Sequence, residues 1–378
     1  MQSNPARSRK LLFSLTLAAA LAACGDDDDG RLSPGLRADL QDILDGAVAN
    51  RVTPGVVLNV SSGRGETWSA AAGVSDLAGV AMDPGDRFRA GSILKTFVAT
   101  AVLQAAEAGQ LALSDSITEH LPAEVTARIE HAASIQIGML LAHRSGIPDW
   151  VTDEVQQISG ADPAHQWTLD EILDQAAGQP AAFPPGEQFQ YSNTNYNLLA
   201  EILSRVTGRS WRAVVRDQVI ARAGLDHTIL PEPGDLDCPA CAHGYLPIGD
   251  DLIDFTRIDP TMAGASGGHA LISTAADLSR FLEKLRGGEL FEKPSTLAAM
   301  FAVLPASDPD APVVAYGLGV MVLDASGVTA IGHLGGTAGY QSFMFYVPDG
   351  DRYVSGAINV NGDIGAVLMP VLQRAAAP

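Results

Sequence analysis

Basic side chains are scarce in this 378-residue chain, and their scarcity limits its possible partners. Lysine and arginine together number 24, against 44 aspartates and glutamates, so the formal net charge is −20 at pH 7. A protein that binds a phosphate backbone normally presents a cationic surface, because lysine and arginine must neutralise the phosphates they contact. The charge balance therefore argues against nucleic acid as a partner.

Cysteine is also rare, with three in the whole chain. Two of them, Cys238 and Cys241, lie in a segment of prolines, glycine and acidic residues that reads as a loop. Outside the cytoplasm, such a pair favours a local disulfide over a redox centre, which normally opens a helix after a strand. Two thiols without further paired ligands make a weak zinc site. We predict a structural disulfide here, and we expect no metal and no cofactor.

Long apolar runs are absent except near the N-terminus, where residues 11–23 follow three basic side chains. This order is typical of a secretory signal and is too short for an ordinary membrane span. Residues 21–24, Leu-Ala-Ala-Cys, match the bacterial lipoprotein processing box, in which the cysteine becomes the lipidated first residue. We predict a signal peptide over 1–23 and lipidation of Cys24. The alternative is a plain secretory signal with an incidental cysteine.

An acidic tether is predicted next, over residues 24–32. Residues 25–30 contain four consecutive aspartates and no apolar side chain to bury, so they should stay solvated. We therefore expect an exported monomer that is held by its lipid to a membrane of the bacterial cell envelope, on the periplasmic side. Gly25 leaves the choice between inner and outer membrane open.

The rest of the chain can bury a substantial core. Hydrophobic residues make up 47% of the sequence, no internal repeat stands out, and residues 33–378 are predicted as one domain with two lobes. We assign a sheet lobe to about 33–91 and 262–378 and a mainly helical lobe to about 92–261, with a cleft between them.

Apolar periodicity predicts secondary structure that fits this division, with one sheet built from both chain ends. The predicted helices begin at Ser33 and at Ser92 and cover 169–177, 196–206, 211–223 and 364–375, and the predicted strands cover 55–60, 66–74, 314–323, 343–347 and 353–360.

Ser92 and Lys95 have the spacing of a nucleophile and its base. Apolar residues recur at three- and four-residue intervals from Leu94 until Gly109, which predicts a helix that Ser92 opens. Positions i and i+3 share a helix face, so the Lys95 amine can approach the Ser92 hydroxyl. Burial and the positive helix start would both lower the pKa of the lysine, as a base requires. The same spacing also arises by chance, so further motifs are needed.

Tyr191 and Asn193 form a second motif on a predicted turn, between a proline- and glycine-containing segment and a helix. A tyrosine near an ammonium loses its proton more easily, and an asparagine offers both a donor and an acceptor. The alternative is a tyrosine packed at the base of the loop beside an asparagine that caps the turn.

A third motif, Gly-His-Leu-Gly-Gly-Thr over residues 332–337, lies between strand-like runs. Gly335 and Gly336 would permit close approach of the backbone to a ligand, as a strand flanking an acyl group requires. His333 could donate a hydrogen bond or carry charge near neutral pH. The alternative is a glycine-rich hairpin with an exposed histidine.

The order of these motifs resembles the active-site pattern of penicillin-recognising serine enzymes. More specifically, the chain resembles the family of class C β-lactamases, D-alanyl-D-alanine carboxypeptidases and related esterases, in which asparagine follows the tyrosine by two positions. Residues 140–146, 185–187 and 273–278 are also similar to recurring family segments. The resemblance implies an α/β (α+β) fold of the β-lactamase/transpeptidase type, with an antiparallel sheet, flanking terminal helices and the inserted helical lobe.

The resemblance also implies roles at the matching positions. Ser92 attacks a carbonyl, while Lys95 and Tyr191 activate it and shuttle protons, and the principal base is left open between the two. Asn193 holds the substrate amide and the lysine, and His333, Gly335 and Gly336 line the substrate. The backbone amides of Ser92 and Gly336 would form the oxyanion hole. His143 and His269 are interpreted as structural.

Two departures from the family pattern concern substrate choice. His333 stands where β-lactamases commonly have lysine, and Leu334 stands where threonine often contacts the substrate carboxylate. We expect hydrolysis of D-alanyl peptides, β-lactams or related peptidoglycan-derived acyl substrates. The alternatives are a carboxylesterase and a penicillin- or peptidoglycan-binding protein that turns over slowly. If His333 titrates normally, carboxylate recognition should weaken as pH rises.

Overall fold

The structure is a computed structural model, and it describes residues 32–262, 271–307 and 312–377. The predicted signal peptide, Cys24 and all but the end of the predicted tether lie outside these ranges, as does His269.

The described chain has strands near both ends and a mainly helical middle. The helices are α1 (Pro34–Ala49), α2 (Leu94–Glu107), α3 (Ala123–Thr126), α4 (Ile137–Leu141), α5 (Asp153–Ala161), α6 (Leu169–Ala177), α7 (Asn193–Thr207), α8 (Trp211–Val215), α9 (Ala221–Ala223), α10 (Ala275–Arg286), α11 (Pro294–Met300) and α12 (Gly365–Ala376). The strands are β1 (Gly55–Ser62), β2 (Thr67–Gly73), β3 (Phe88–Arg89), β4 (Tyr245–Ile248), β5 (Asp251–Asp254), β6 (Ile272–Ser273), β7 (Leu304–Pro305), β8 (Val313–Tyr316), β9 (Met321–Ala325), β10 (Val328–Thr337), β11 (Tyr340–Val347) and β12 (Arg352–Ile358).

The main sheet has the strand order β2-β1-β12-β11-β10-β9-β8-β7, and its neighbouring strands are antiparallel. Strand β1, from the start of the domain, pairs with β12 near its end, and Val56 lies opposite Ile358. The predicted antiparallel sheet, built from both chain ends, is confirmed.

Both faces of the sheet are covered by helices. Because side chains alternate along a strand, Val56 and Leu58 pack with α1 and α12 in one apolar cluster, whereas Val57 points into the other cluster with α2 and α10. Every residue of β1 and of β12 is consequently buried. The sheet and the helices on its two faces carry the segments that form the site.

Local capping explains the first helix. The Ser33 hydroxyl accepts a hydrogen bond from the Leu36 amide at 3.1 Å, and Pro34 occupies the first helical position. Both features stabilise a helix start, because proline needs no amide partner there and serine pairs an amide that has no partner within the helix.

Two sequence predictions need correction. The predicted strand 314–323 is two strands, β8 and β9, since the chain turns through Gly317 and Gly319, the latter at φ +82°. The predicted strands also leave out the small hairpin of β4 and β5 around Gly249, which lies within the lobe predicted as mainly helical. Its strands have four residues each, too few for a clear period-two signal.

Candidate active site

Ser92 lies in a short 3-10 turn, Gly91–Ile93, that runs directly into α2. Helix α2 is anchored in the core by fully buried apolar side chains, including Phe97. The Phe97 ring stacks on that of Phe281 in α10, with 3.7 Å between the ring centroids. Ser92 itself is partly exposed. A reactive hydroxyl therefore sits at the surface of a rigid support, as the motif predicted.

Lys95 is fully buried one turn further along. Its Nζ lies 3.0 Å from Ser92 Oγ and 2.9 Å from Asn193 Oδ1, so the first two motifs meet at this amine. Burial holds the pKa of the Lys95 amine well below its ordinary value, and the charge of Asp149 partly opposes this shift. A lysine in this state can be neutral near physiological pH and accept a proton from the serine.

Tyr191 lies just before α7, and its ring centroid is 4.9 Å from Lys95 Nζ. His143 stacks on this ring at 4.3 Å and accepts a hydrogen bond through Nδ1 from the Ser192 amide at 3.1 Å. Burial lowers the pKa of His143 well below its ordinary value, so the ring is neutral. His143, interpreted as structural from the sequence, thus supports the tyrosine from behind.

Asp149 belongs to the site and was missed from the sequence. Its Oδ2 accepts a hydrogen bond from Asn193 Nδ2 at 2.8 Å, and its Oδ1 accepts one from the Val151 amide at 3.2 Å. Burial holds the pKa of Asp149 above its ordinary value, although the hydrogen bonds from Val151 and Asn193 and the charge of Lys95 oppose this shift. The available signal was its position three residues after the segment 140–146, already singled out by its similarity to the family.

The third motif lies on β10, where the strand has one open side. Strand β9 pairs with β10 only over residues 328–332, whereas β11 pairs with it over 331–337. An added Cβ on Gly335 would lie 2.1 Å from the Ala90 carbonyl oxygen, and one on Gly91 would lie 2.6 Å from the Gly336 nitrogen. These glycines therefore let β10 lie directly against the Ser92 turn, with the Gly336 backbone beside it. The oxyanion roles of the Ser92 and Gly336 amides stay predictions.

The expectation that His333 carries charge near neutral pH is wrong. Its ring is fully buried, with Nδ1 2.6 Å from the Leu334 carbonyl oxygen and Nε2 2.9 Å from the Tyr316 hydroxyl. A carbonyl only accepts, so Nδ1 holds the proton and Nε2 accepts from the phenol. Burial lowers the pKa of His333 to about 3. The ring supports the β10 backbone and presents no charge to a substrate.

Cys238 and Cys241 form a disulfide, with their Cα atoms 5.4 Å apart. The loop between them brackets Arg87, whose amide donates to the Ala240 carbonyl at 2.9 Å and whose carbonyl accepts from the Ala242 amide at 3.0 Å. Because Arg87 immediately precedes β3, these hydrogen bonds join the disulfide loop to the segment that leads to Ser92. Its oxidation state in the exported protein stays a prediction.

Within the described ranges, no group of three or more His, Cys, Asp or Glu side chains is placed to hold a metal ion. No helix in the same ranges is long and apolar enough to cross a membrane.

The site combines Ser92 at a helix start with the buried Lys95 amine, and the Tyr191–Asn193 turn and the open side of β10 lie next to them. This arrangement is that of a hydrolase with an active serine. Comparison with known proteins agrees, since residues 40–376 match the family described as Beta-lactamase. The chain belongs to this family and is a serine hydrolase.

Three relatives show the range of proteins to which the chain is similar. A D-stereospecific amidohydrolase from Streptomyces sp. is 31% identical, with 88% of this chain and 97% of that chain covered and a TM-score of 0.78. D-amino acid amidase from Ochrobactrum anthropi SV3, complexed with L-phenylalanine amide, is 27% identical, with 90% and 98% covered and a TM-score of 0.80. Penicillin-binding protein 4 from Amycolatopsis lactamdurans is 29% identical over 78% of this chain and 77% of its own length.

Proposed function

We propose that the protein hydrolyses amide bonds of small acyl substrates in which the acyl donor is a D-amino acid, through an acyl-enzyme on Ser92. The observation that carries the proposal is the buried Lys95 amine held between Ser92 Oγ and Asn193 Oδ1. This contact gives the hydroxyl a proton acceptor, without which serine is a weak nucleophile.

The reaction follows from the positions of these groups. Ser92 Oγ attacks the carbonyl carbon while its proton passes to Lys95 Nζ, and the carbonyl oxygen gains negative charge beside the Ser92 and Gly336 amides. The C–N bond then breaks as the departing nitrogen takes up a proton from Lys95 or Tyr191. Water next attacks the ester carbon and loses a proton to the same groups. The bond between that carbon and Ser92 Oγ then breaks as the proton passes to Oγ, which releases the acid and restores the Ser92 hydroxyl.

The third motif favours a substrate whose leaving group carries no carboxylate. His333 is neutral and buried, and Leu334 has no hydroxyl to offer a carboxylate. A D-amino acid amide, whose leaving group is neutral, suits this strand better than a peptide ending in a free D-alanine carboxylate. The similarity to a D-stereospecific amidohydrolase and a D-amino acid amidase supports the same choice.

The test is a matched set of substrates followed by rate and by intact mass. We expect D-phenylalanine amide and D-alanine amide to be cleaved faster than their L-enantiomers and faster than a D-alanyl-D-alanine peptide. A transient mass adduct should appear on wild-type protein and be absent from Ser92→Ala. Faster cleavage of the L-amides, or of the carboxylate-bearing peptide, would contradict the proposed substrate class.

A slow-turnover penicillin-binding protein is the second candidate, favoured by the similarity to a penicillin-binding protein. Exposure to a labelled penicillin separates the two, since an adduct that persists for hours marks a binder and an adduct that disappears within minutes marks a hydrolase. An ester that is cleaved while all amides are left intact would favour the carboxylesterase alternative.

We also propose that the protein is anchored by lipid to a membrane of the bacterial cell envelope. Support comes from the basic and apolar leader and the Leu-Ala-Ala-Cys sequence that ends at Cys24. Cys24→Ser should move the exported protein from the membrane fraction to the soluble fraction. A variant that stays membrane-bound would contradict the lipid anchor.

A further inference from the structure

Asp149 is tied to the catalytic serine by an unbroken row of hydrogen bonds. Asp149 Oδ2 accepts from Asn193 Nδ2 at 2.8 Å, Asn193 Oδ1 accepts from Lys95 Nζ at 2.9 Å, and Lys95 Nζ lies 3.0 Å from Ser92 Oγ. The carboxylate is fixed in turn by the Val151 amide, which donates to its other oxygen at 3.2 Å. Asp149, Asn193 and the Lys95 amine therefore each have two hydrogen-bond partners.

The chemistry of a carboxylate decides which way the Asn193 amide faces. An ionised carboxylate only accepts hydrogen bonds, so Asn193 must turn its NH₂ group toward Asp149 and its oxygen toward Lys95. The oxygen then accepts one N–H of a neutral Lys95, which leaves the nitrogen lone pair for the Ser92 hydroxyl proton. With the amide reversed, its NH₂ would compete with Ser92 for that lone pair.

We propose that Asp149 is a positioning residue for acyl transfer, which fixes the Asn193 amide so that the Lys95 lone pair is directed at Ser92. The proposal rests on the proposed function and adds a carboxylate that lies outside the three motifs. Asp149 acts through Asn193, which makes its contribution separable by mutation.

The charge of Asp149 also reaches Lys95. The other titratable groups around the amine are Tyr191 and Tyr196, whose rings lie 4.9 and 5.6 Å from Nζ, and the two histidines His143 and His333. Burial raises the pKa of Tyr196 and lowers the pKa of both histidines, so these three are neutral near pH 7. Removing the Asp149 charge should therefore lower the pKa of Lys95 further and let the amine become neutral at a lower pH.

The experiment measures single-turnover acylation of Ser92 by a p-nitrophenyl ester across pH in a double-mutant cycle. The variants are Asp149→Ala, Asn193→Ala, the double variant and the isosteric Asp149→Asn, with Asp42→Asn as a control that removes an exposed carboxylate on α1. We expect Asp149→Ala to slow acylation about tenfold or more, and the double variant to be no slower than Asn193→Ala alone. Asp149→Asn should move the acidic limb of the profile to lower pH by about one unit, and Asp42→Asn should match wild type.

Two results would overturn the positioning role. One is a double variant whose loss of acylation rate equals the product of the losses in Asp149→Ala and Asn193→Ala. That result would mean that Asp149 acts independently of the Asn193 amide. The other is a folded Asp149→Ala protein, checked by thermal unfolding, that acylates at the wild-type rate. A folded Asp149→Asn protein whose pH profile superimposes on that of wild type would contradict the effect of the Asp149 charge on Lys95. Wild-type protein that forms no Ser92 adduct at all would instead overturn the proposed function itself, so the two failures are distinguishable.

Discussion

The phenol of Tyr316 donates a 2.9 Å hydrogen bond to Nε2 of His333, and both side chains are buried. The two contacts together fix the histidine as a neutral ring, because Nδ1 keeps its proton and donates a hydrogen bond to the Leu334 carbonyl while Nε2 accepts one from the phenol. The ring therefore supports the β10 strand and carries no charge. This is one of the observations behind the proposal of a substrate with a neutral leaving group.

The first prediction concerns acid stability. The pKa of His333 is about 3 in the folded protein against an ordinary 6.5. Between these two pH values the histidine is therefore protonated in the unfolded state and neutral in the folded state. Stability that is present above pH 6.5 is therefore lost as pH falls from 6.5 toward 3, by up to about 1.4 kcal/mol per pH unit for one group. In urea unfolding between pH 4 and 7, His333→Gln should show a shallower dependence than wild type.

The control for this effect is His227→Gln, which removes an exposed histidine. It should leave the wild-type slope unchanged. His143 adds a slope of the same sign in all three proteins, because burial lowers its pKa too. Equal slopes for wild type and His333→Gln would show that His333 is not buried as a neutral ring.

The second prediction separates Lys95 from Tyr191. Lys95 Nζ lies within hydrogen-bond distance of Ser92 Oγ, so Lys95→Ala should reduce the acylation rate by about a hundredfold or more, in the range of general-base catalysis. Tyr191→Phe keeps the ring that His143 stacks on and removes only the hydroxyl. We expect it to slow acylation while the folded structure survives.

Stopped-flow acylation with an activated ester measures both rates. The matched control is Lys284→Ala, which removes a partly exposed lysine of α10 that is paired with Glu289. This variant should acylate normally. Near-normal acylation by Lys95→Ala would assign the proton transfer elsewhere.

Local patterns predicted the parts of the site that lie within one element. Helical spacing predicted that the Lys95 amine could approach Ser92, although the catalytic interpretation needed the other motifs, and the Tyr191 turn followed from the residues around it. Asp149 and Asn193 are 44 positions apart in the chain, and no periodicity joins them. The burial of His333 likewise depends on Tyr316, 17 positions earlier. Contacts of this kind arise from the way the strands and helices pack together.

The third prediction uses two glycines to test the close approach of β10 to the Ser92 turn. An alanine at Gly335 would place its Cβ 2.1 Å from the Ala90 carbonyl oxygen and 2.3 Å from Ser342 Oγ, so the strand or the turn must move. Gly335→Ala should cut kcat/KM by about tenfold or more, since small displacements of reacting groups are costly. Gly46→Ala meets nothing within 4 Å in α1 and should raise stability by up to about 1 kcal/mol. Full activity in Gly335→Ala would show that the gap tolerates a methyl group.

The last prediction concerns the disulfide between Cys238 and Cys241. Its loop is tied to Arg87 by two backbone hydrogen bonds, and the Tyr340 hydroxyl donates to the Ala242 carbonyl at 2.7 Å. The loop closed by the disulfide is short, so its removal should cost about 2 kcal/mol or less. Ser92 and Lys95 are held by the buried face of α2, apart from this loop, and should keep their geometry. Cys238→Ser combined with Cys241→Ser should therefore lower the unfolding temperature by a few degrees and change the acylation rate by less than about twofold. A large loss of acylation in this double variant would mean that the loop helps to position Ser92. Non-reducing peptide mapping of the exported wild-type protein is the complementary measurement, and two free thiols there would contradict the disulfide.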